Sequence, residues 1–223
     1  MNTGFSNLDT LRKFLLGKQL AASNEFDAAL VAIGLGTAGL FDQICNRKFV
    51  YVEDKQQTFR GNRAHCYMPN YPVLKFTKVE LRYFAADNWS DISGQPLAVN
   101  EETGLLYFGY TLGQEPIQVR VTWTGGYWWE TCEPDDINYP SMPPANIQNS
   151  QTVNPNGLPP EAFMLPDVIR HAWLLQCQET WNKRDKLGLG LIDTPDAQSS
   201  LGKLDLIPEV ERILKTFVRY QLT

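Results

Sequence analysis

Between Thr131 and Pro160 the sequence concentrates seven of its fourteen prolines together with five asparagines. Each proline removes a backbone donor and fixes φ, so no helix interior and no central strand survives that density. The segment therefore separates whatever folds before it from whatever folds after it. Structureless connections of about thirty residues are uncommon inside compact domains and are usually functional or disordered. The spacing predicts an extended arm or interface loop over 131–160, with a mobile insertion as the alternative.

Upstream, two helices are predicted. Leu8, Leu11, Phe14 and Leu15 line one side of a short amphipathic helix over 7–17, with Arg12 and Lys13 turned away and Gly17 as its stop. Asn24 offers a cap for the second, with Glu25 and Asp27 in its first turn. Phe26, Leu30, Ile33, Thr37, Leu40 and Ile44 then recur at steps of three and four, a helical stripe over 25–46.

From Phe49 the pattern changes. Phe49–Val52, Val73–Phe84 and Ile117–Thr124 are rich in β-branched and aromatic residues, which predicts a β-region over 49–125. Pro96–Val99 and Leu105–Phe108 flank Asn100-Glu101-Glu102-Thr103-Gly104, the chemistry of a hairpin with glycine at a positive-φ position. These connections are too short for helical crossovers, so the sheet is expected to be mainly antiparallel. Beyond the proline segment, Pro166 suits the first turn of a helix over 166–186, apolar on nearly every side around Ala172–Leu175. A last amphipathic helix is predicted over 208–221, with Val210, Ile213, Leu214, Phe217 and Val218 as its stripe. The fold class is α+β: a bundle of about four helices, two N-terminal and two C-terminal, with an inserted, mainly antiparallel β-region, read as one domain over 1–223.

Apolar residues make up 43% and charged residues 20% of the 223, a balance that folds rather than stays disordered. The net charge of −5 opposes general binding of polyanions. Cys45, Cys66, Cys132 and Cys177 are widely spaced without a C-x-x-C, which suggests reduced thiols of a cytosolic protein. Met1–Asp9 lacks a basic segment followed by an apolar one, and no apolar run is expected to reach membrane-spanning length. Asn88-Trp89-Ser90 matches a glycosylation sequon, which carries no weight without a secretory route.

Signals for chemistry are weak. Gly34-Leu35-Gly36-Thr37-Ala38-Gly39 is a literal G-x-G-x-x-G, with Asp54 twenty residues past Gly34. A dinucleotide fold would use those glycines to bring backbone against a pyrophosphate at a helix start. Here they sit inside a helical stripe, and no alternation of strands and helices follows. Helix-interior glycines cost roughly 1 kcal/mol each relative to alanine, and close helix–helix packing is the expected reason for them. Metal binding would have to draw on His65, Cys66, His171, Cys177, Cys45 and Cys132, whose spacings do not share a face. There is no G-x-S-x-G, Ser200-Leu201-Gly202-Lys203 is an isolated S-x-x-K, and Asp135-Asp136 lies in the proline segment, where nothing would desolvate it. No catalytic, cofactor-binding or metal-ligating residue is expected. Trp123, Tyr127, Trp128 and Trp129 leave one alternative function open, a small-ligand or carbohydrate-binding module stacking on those rings.

The order of these features resembles the head–tail connector proteins of tailed bacteriophages, also called adaptor or head-completion proteins. Asn46-Arg47-Lys48-Phe49 at the end of the second helix is similar to the family's T-G-R-x-F turn. Tyr71-Pro72-Val73 resembles its P-V strand entry, and Val119–Tyr127 its V-x-Y-x-x-G-Y strand end. Leu165-Pro166-Asp167-Val168-Ile169-Arg170-His171-Ala172, followed by Glu179-Thr180-Trp181-Asn182-Lys183-Arg184, resembles its L-P-x-D-I-x-x-A…Y-x-x-R helix. The 131–160 loop and the hairpin within Ala85–Gly113 depart from the family pattern.

The resemblance implies a non-enzymatic structural protein of the virion neck, assembled in the host cytoplasm. Its partners would be further copies in a ring (commonly dodecameric), the portal protein, and the next neck or tail-completion protein. DNA would pass through without sequence-specific binding, and no membrane is involved. A channel wall that gripped phosphates would gain counterion-release energy and hold DNA rather than pass it, so the acidic balance suits this role. The resemblance also makes Leu206–Thr223 the portal-facing element. Trp173, Trp181, Arg184, Ile213, Phe217, Arg219 and Tyr220 are the expected partner-interface residues, the two tryptophans as packing anchors.

Overall fold

The computed structural model describes residues 3–20, 25–60, 64–94, 97–108, 117–129, 163–183 and 206–219. The expected 131–160 loop lies outside them. Among the described residues the elements run α1 (Leu8–Leu20), α2 (Asp27–Ile44), β1 (Val52–Arg60), β2 (His65–Tyr67), β3 (Val73–Arg82), β4 (Ser90–Asp91), β5 (Ala98–Asn100), β6 (Leu105–Tyr107), β7 (Gln118–Gly125), β8 (Tyr127–Trp128), β9 (Phe163–Met164), α3 (Asp167–Asn182) and α4 (Pro208–Lys215). Helices at both ends and antiparallel sheets between them make this an α+β fold, as the periodicities predict. The sequence reads as one domain, whereas the packing divides it into two compact units. One holds the helices with Trp129; the other runs from Arg47 to Trp128 and includes β9.

Of the expected stripe on α2 in the helical unit, Leu30, Ile33 and Thr37 are buried, while Phe26, Leu40 and Ile44 are half-buried. Leu30, Ile33 and Phe41 of α2 and Ile169, Ala172, Trp173 and Cys177 of α3 are buried, and the Trp173 indole Nε1–H donates to the Gly34 carbonyl at 3.0 Å. Gly34 is needed there, because a β-carbon on it would sit 2.1 Å from the Thr3 carbonyl oxygen. The expected helix–helix reason for the glycines does not hold. The close neighbour of Gly34 is the N-terminal segment, and Gly36 and Gly39 meet nothing within 4 Å. The whole G-x-G-x-x-G motif lies inside α2.

Several boundaries move. Gly17 does not stop α1; it kinks it at φ 70°, ψ 173°, and the helix resumes to Leu20. Helix α2 opens at Asp27 with Phe26 before it and no side-chain cap, while Asn24 lies outside the described residues. The Asp27 carboxylate instead accepts from the Arg12 guanidinium of α1, which raises the Arg12 pKa. Pro166 stands just before α3 rather than inside it. Helix α4 ends at Lys215, short of the expected 221. Its start is fixed by the buried Gln176 side chain, whose Oε1 accepts the Ile207 N–H at 3.1 Å. Its far end is held where the Arg219 N–H donates to the Cys45 carbonyl at 3.0 Å.

Helix α2 also corrects the expectation that no apolar run is of membrane-spanning length: by length and composition alone it qualifies. One side is buried in the helical unit, and alanine and glycine on the other side, with no charge between Asp27 and Asp42, complete the apolar window.

The β unit contains a four-stranded antiparallel sheet in the order β1-β7-β3-β4, a small antiparallel sheet β2-β6-β5, and a short parallel pair β8-β9. Alternation sends Val119, Val121 and Trp123 of β7 to one face, where they meet Val79 and Leu81 of β3 and a core extended by Met68, Leu106 and Phe108. The hairpin forms as predicted, β5 to β6 through Gly104 at φ 68°. The first strand does not: β1 begins at Val52, where the expected strand ends. Phe49–Tyr51 instead brace Tyr127 through backbone bonds on both sides, Tyr127 N–H to the Phe49 carbonyl at 2.7 Å and Tyr51 N–H to the Tyr127 carbonyl at 2.9 Å.

Candidate functional site

Arg47 is 6% exposed, unusual for a residue of its kind. Its guanidinium Cζ lies 3.5 Å from the ring centroid of Tyr71, 4.7 Å from that of Phe49 and 5.0 Å from that of Tyr127. Nη2 donates to the Tyr71 carbonyl, and among the described residues Nε finds no acceptor. Aromatic faces carry the negative end of a quadrupole, so the three rings supply attraction that a carboxylate would otherwise give.

The rings are delivered by three separate stretches of chain. Lys48 bridges to Asn70, and its N–H donates to the Pro69 carbonyl at 2.8 Å. Asn70, fully buried, donates Nδ2–H to the Val50 carbonyl at 2.7 Å and accepts from Lys55 Nζ at 3.2 Å. The Gly126 N–H donates to the Pro72 carbonyl at 2.9 Å, and the Tyr71–Pro72 peptide is cis. Gly126 sits at φ 95°, and a β-carbon there would lie 2.2 Å from the Val50 carbonyl oxygen. Three of the four sequence fragments that resemble the connector family, around Arg47, Tyr71 and Tyr127, thus meet in one corner. Each is weak along the chain, and only the fold joins them. Asn70 escaped sequence reasoning, since nothing marks a single asparagine before Tyr71-Pro72 as buried.

The arrangement holds three backbone stretches and three rings around one cation. Elsewhere, burial pushes the Cys66 and Cys177 thiols up to about 12, which keeps them protonated and unreactive. Among the described residues no group of three or more His, Cys, Asp or Glu side chains could hold a metal ion. His171 is exposed.

The ring-stacking alternative meets a correction. Trp123 is fully buried and Trp128 and Trp129 are each 3% exposed. Trp128 packs edge-on to Tyr51, Trp129 edge-on to Phe5, and Trp123 lies against Phe59. No open indole face is left among them to stack on a sugar.

The expected interface residues fall into three groups. Trp173 and Trp181 do pack as anchors, but inside their own unit: Trp173 is fully buried and Trp181 is edge-on to Phe26 at 5.4 Å. A partner would not reach Trp173 without opening this core. Ile213, Phe217 and Arg219 are half-buried at the end of the chain's last described helix. Arg184 and Tyr220 lie outside the described residues.

No family profile and no curated protein sequence matches the chain. Its fold does match solved structures. A chain in "Neck of empty GTA particle computed with C6 symmetry" superposes with a TM-score of 0.58 at 14% identity, covering 98% of this chain and 92% of that one. A chain in "Virion of native gene transfer agent (GTA) particle" does so with 0.55 at 12% identity and the same coverage. The chain therefore shares the fold of these two gene transfer agent chains along nearly its whole length.

Proposed function

We propose that this protein is a non-enzymatic neck component of a tailed, phage-like particle: a head–tail connector subunit that forms a ring under the portal, extends the DNA exit channel and docks the next neck or tail component. The observation that carries this reading is the near-complete backbone match to a chain of a gene transfer agent neck. It is supported by the meeting of three connector-like motif fragments at Arg47. The six-fold symmetry of that neck, if carried over, is compatible with a dodecameric ring. The net charge of −5 suits a wall that DNA passes without being held. Residues 206–223 are the proposed portal-facing element, with Ile213, Phe217, Arg219 and Tyr220 contributing. The 131–160 segment is the proposed arm toward a neighbouring subunit. Assembly in the host cytoplasm and location in the virion neck follow from the same reading.

The test is electron microscopy of the full chain mixed with the portal of its own phage. Ring density added beneath the portal is expected. A bare portal at saturating protein would sink the connector role.

A further inference from the structure

The solvent side of the four-stranded sheet differs in charge from the rest of the chain. Across the register Thr58 stands opposite Arg120 and Arg120 opposite Glu80, while Arg60 and Arg82 flank Gln118. Lys78 is on the same face, as is Asp91, which pairs with Glu80. Lys75, opposite Thr124, and Asp54, whose N–H donates to the Thr124 hydroxyl, lie on it too, so five cations against three carboxylates give this face a formal +2 within a chain of −5, and everything else sums to −7. Asp87, in the turn beside it, offsets one unit of that.

The same face ends in a fixed aromatic projection. Directly after Arg82, Tyr83 and Phe84 are 58% and 59% exposed. Their turn is held by Asp87, whose Oδ2 accepts the Phe84 N–H at 2.9 Å, and by Arg82, whose Nη1 donates to the Ala85 carbonyl at 3.0 Å. Trp89 lies with the Arg82 and Arg120 guanidinium groups at 4.5 and 4.3 Å from its rings. Arginine, tryptophan and tyrosine are the side chains that dominate contact energies, and ordering them before contact lowers the entropy lost on binding.

We infer that this face, with the Tyr83–Phe84 turn at its edge, is where one copy of the chain receives an acidic surface of the next copy. The inference rests on the ring reading above. Charge decides the mode. Two copies meeting through this same face would set cations against cations, whereas the remaining −7 of a second copy complements it. The contact is thus between two different surfaces, and head-to-tail contacts of that kind close into rings.

Full-length variants test this in two independent ways. Gln56→Glu with Arg60→Glu, both at exposed positions of β1, turns the face from +2 to −1. Tyr83→Ala with Phe84→Ala removes the projection without touching the core. Melting curves and circular dichroism establish that each folds. The readouts are copies of the chain per purified particle neck and native mass in solution at low and high salt. The wild type is expected in complete necks, with any self-association in solution weakening as salt rises. Each variant is expected to lose about ten-fold or more of its assembly. Folded variants that fill necks as the wild type does would overturn this surface and leave the ring reading intact. So would variants that form complete rings but fail to join another neck component or DNA. A wild type that forms no ring in any neck would overturn both.

Discussion

The guanidinium of Arg47 lies 3.5 Å from the centre of the Tyr71 ring and also donates to the Tyr71 carbonyl, twenty-four residues along the chain. One side chain thereby fixes both the ring and the backbone of the same residue. A planar guanidinium suits this double role better than an ammonium, because it can stack flat on a ring while its edge donates to the carbonyl.

Arg47→Ala is expected to destabilise the β unit by about 3 kcal/mol, combining a desolvated cation–π contact with a charge-assisted hydrogen bond. Arg47→Lys should recover less than half of that. Urea denaturation followed by tryptophan fluorescence measures both, and equal stability of the lysine variant and the wild type would contradict the stacking account.

Two glycines should respond in opposite directions. Gly126→Ala forces a β-carbon to 2.2 Å from the Val50 carbonyl at φ 95° and is expected to cost about 3 kcal/mol. Gly36→Ala, on an open helical position with nothing within 4 Å, should stabilise by about 0.5–1 kcal/mol. Thermal melts of the two variants decide; a Gly126→Ala melt at the wild-type temperature would rule out the close approach.

Glu80 is 4% exposed and accepts from Arg120 Nε and Lys78 Nζ, both at 2.7 Å. The hydrogen bond from Arg120, with that from Lys78 behind it, holds its carboxyl below the usual range. Its contribution to stability is therefore complete above the ordinary carboxylate range and is lost as pH falls through the lowered value. Glu80→Gln is expected to cost about 2 kcal/mol at neutral pH and to flatten the decline in acid. Melting temperatures from neutral pH down into the acid range test it, and a variant whose acid decline parallels the wild type would assign that decline to other carboxylates.

Cys45, Cys66 and Cys177 are buried, and burial raises the last two thiols to about 12. A thiol reagent at mildly alkaline pH should label none of these three in the native protein and all three in denaturant. Mass spectrometry of labelled peptides reads this out; rapid native labelling of Cys66 would show that its strand opens.

The helices were legible because residues recur at steps that only a helix turns into one face, as Leu30, Ile33 and Thr37 do. The β5–β6 hairpin was legible because Gly104 has a conformation that few other residues accept. Strand β1 was not. Val-Glu-Asp-Lys-Gln-Gln-Thr-Phe-Arg carries few β-branched or aromatic residues, so its bounds are unmarked within the expected β-region, and it becomes a strand because β7 offers it a pairing edge. The tryptophans left an alternative function open for a related reason. Composition reveals that Trp123, Trp128 and Trp129 are present but not which way they turn, and all three turn inward. The Arg47 corner was visible only as three unconnected fragments, because a cation held by rings has no sequence spacing of its own.

The helical unit is discontinuous along the chain: α1 and α2 come first, and Val210 and Leu214 of α4, both fully buried in it, come more than one hundred and sixty residues after Cys45. The β unit is spelled out between them. On the ribosome the first two helices must therefore wait, with Cys45 uncovered, until the last helix emerges to close over it. A chain broken off before Val210 would display that gap to its neighbours.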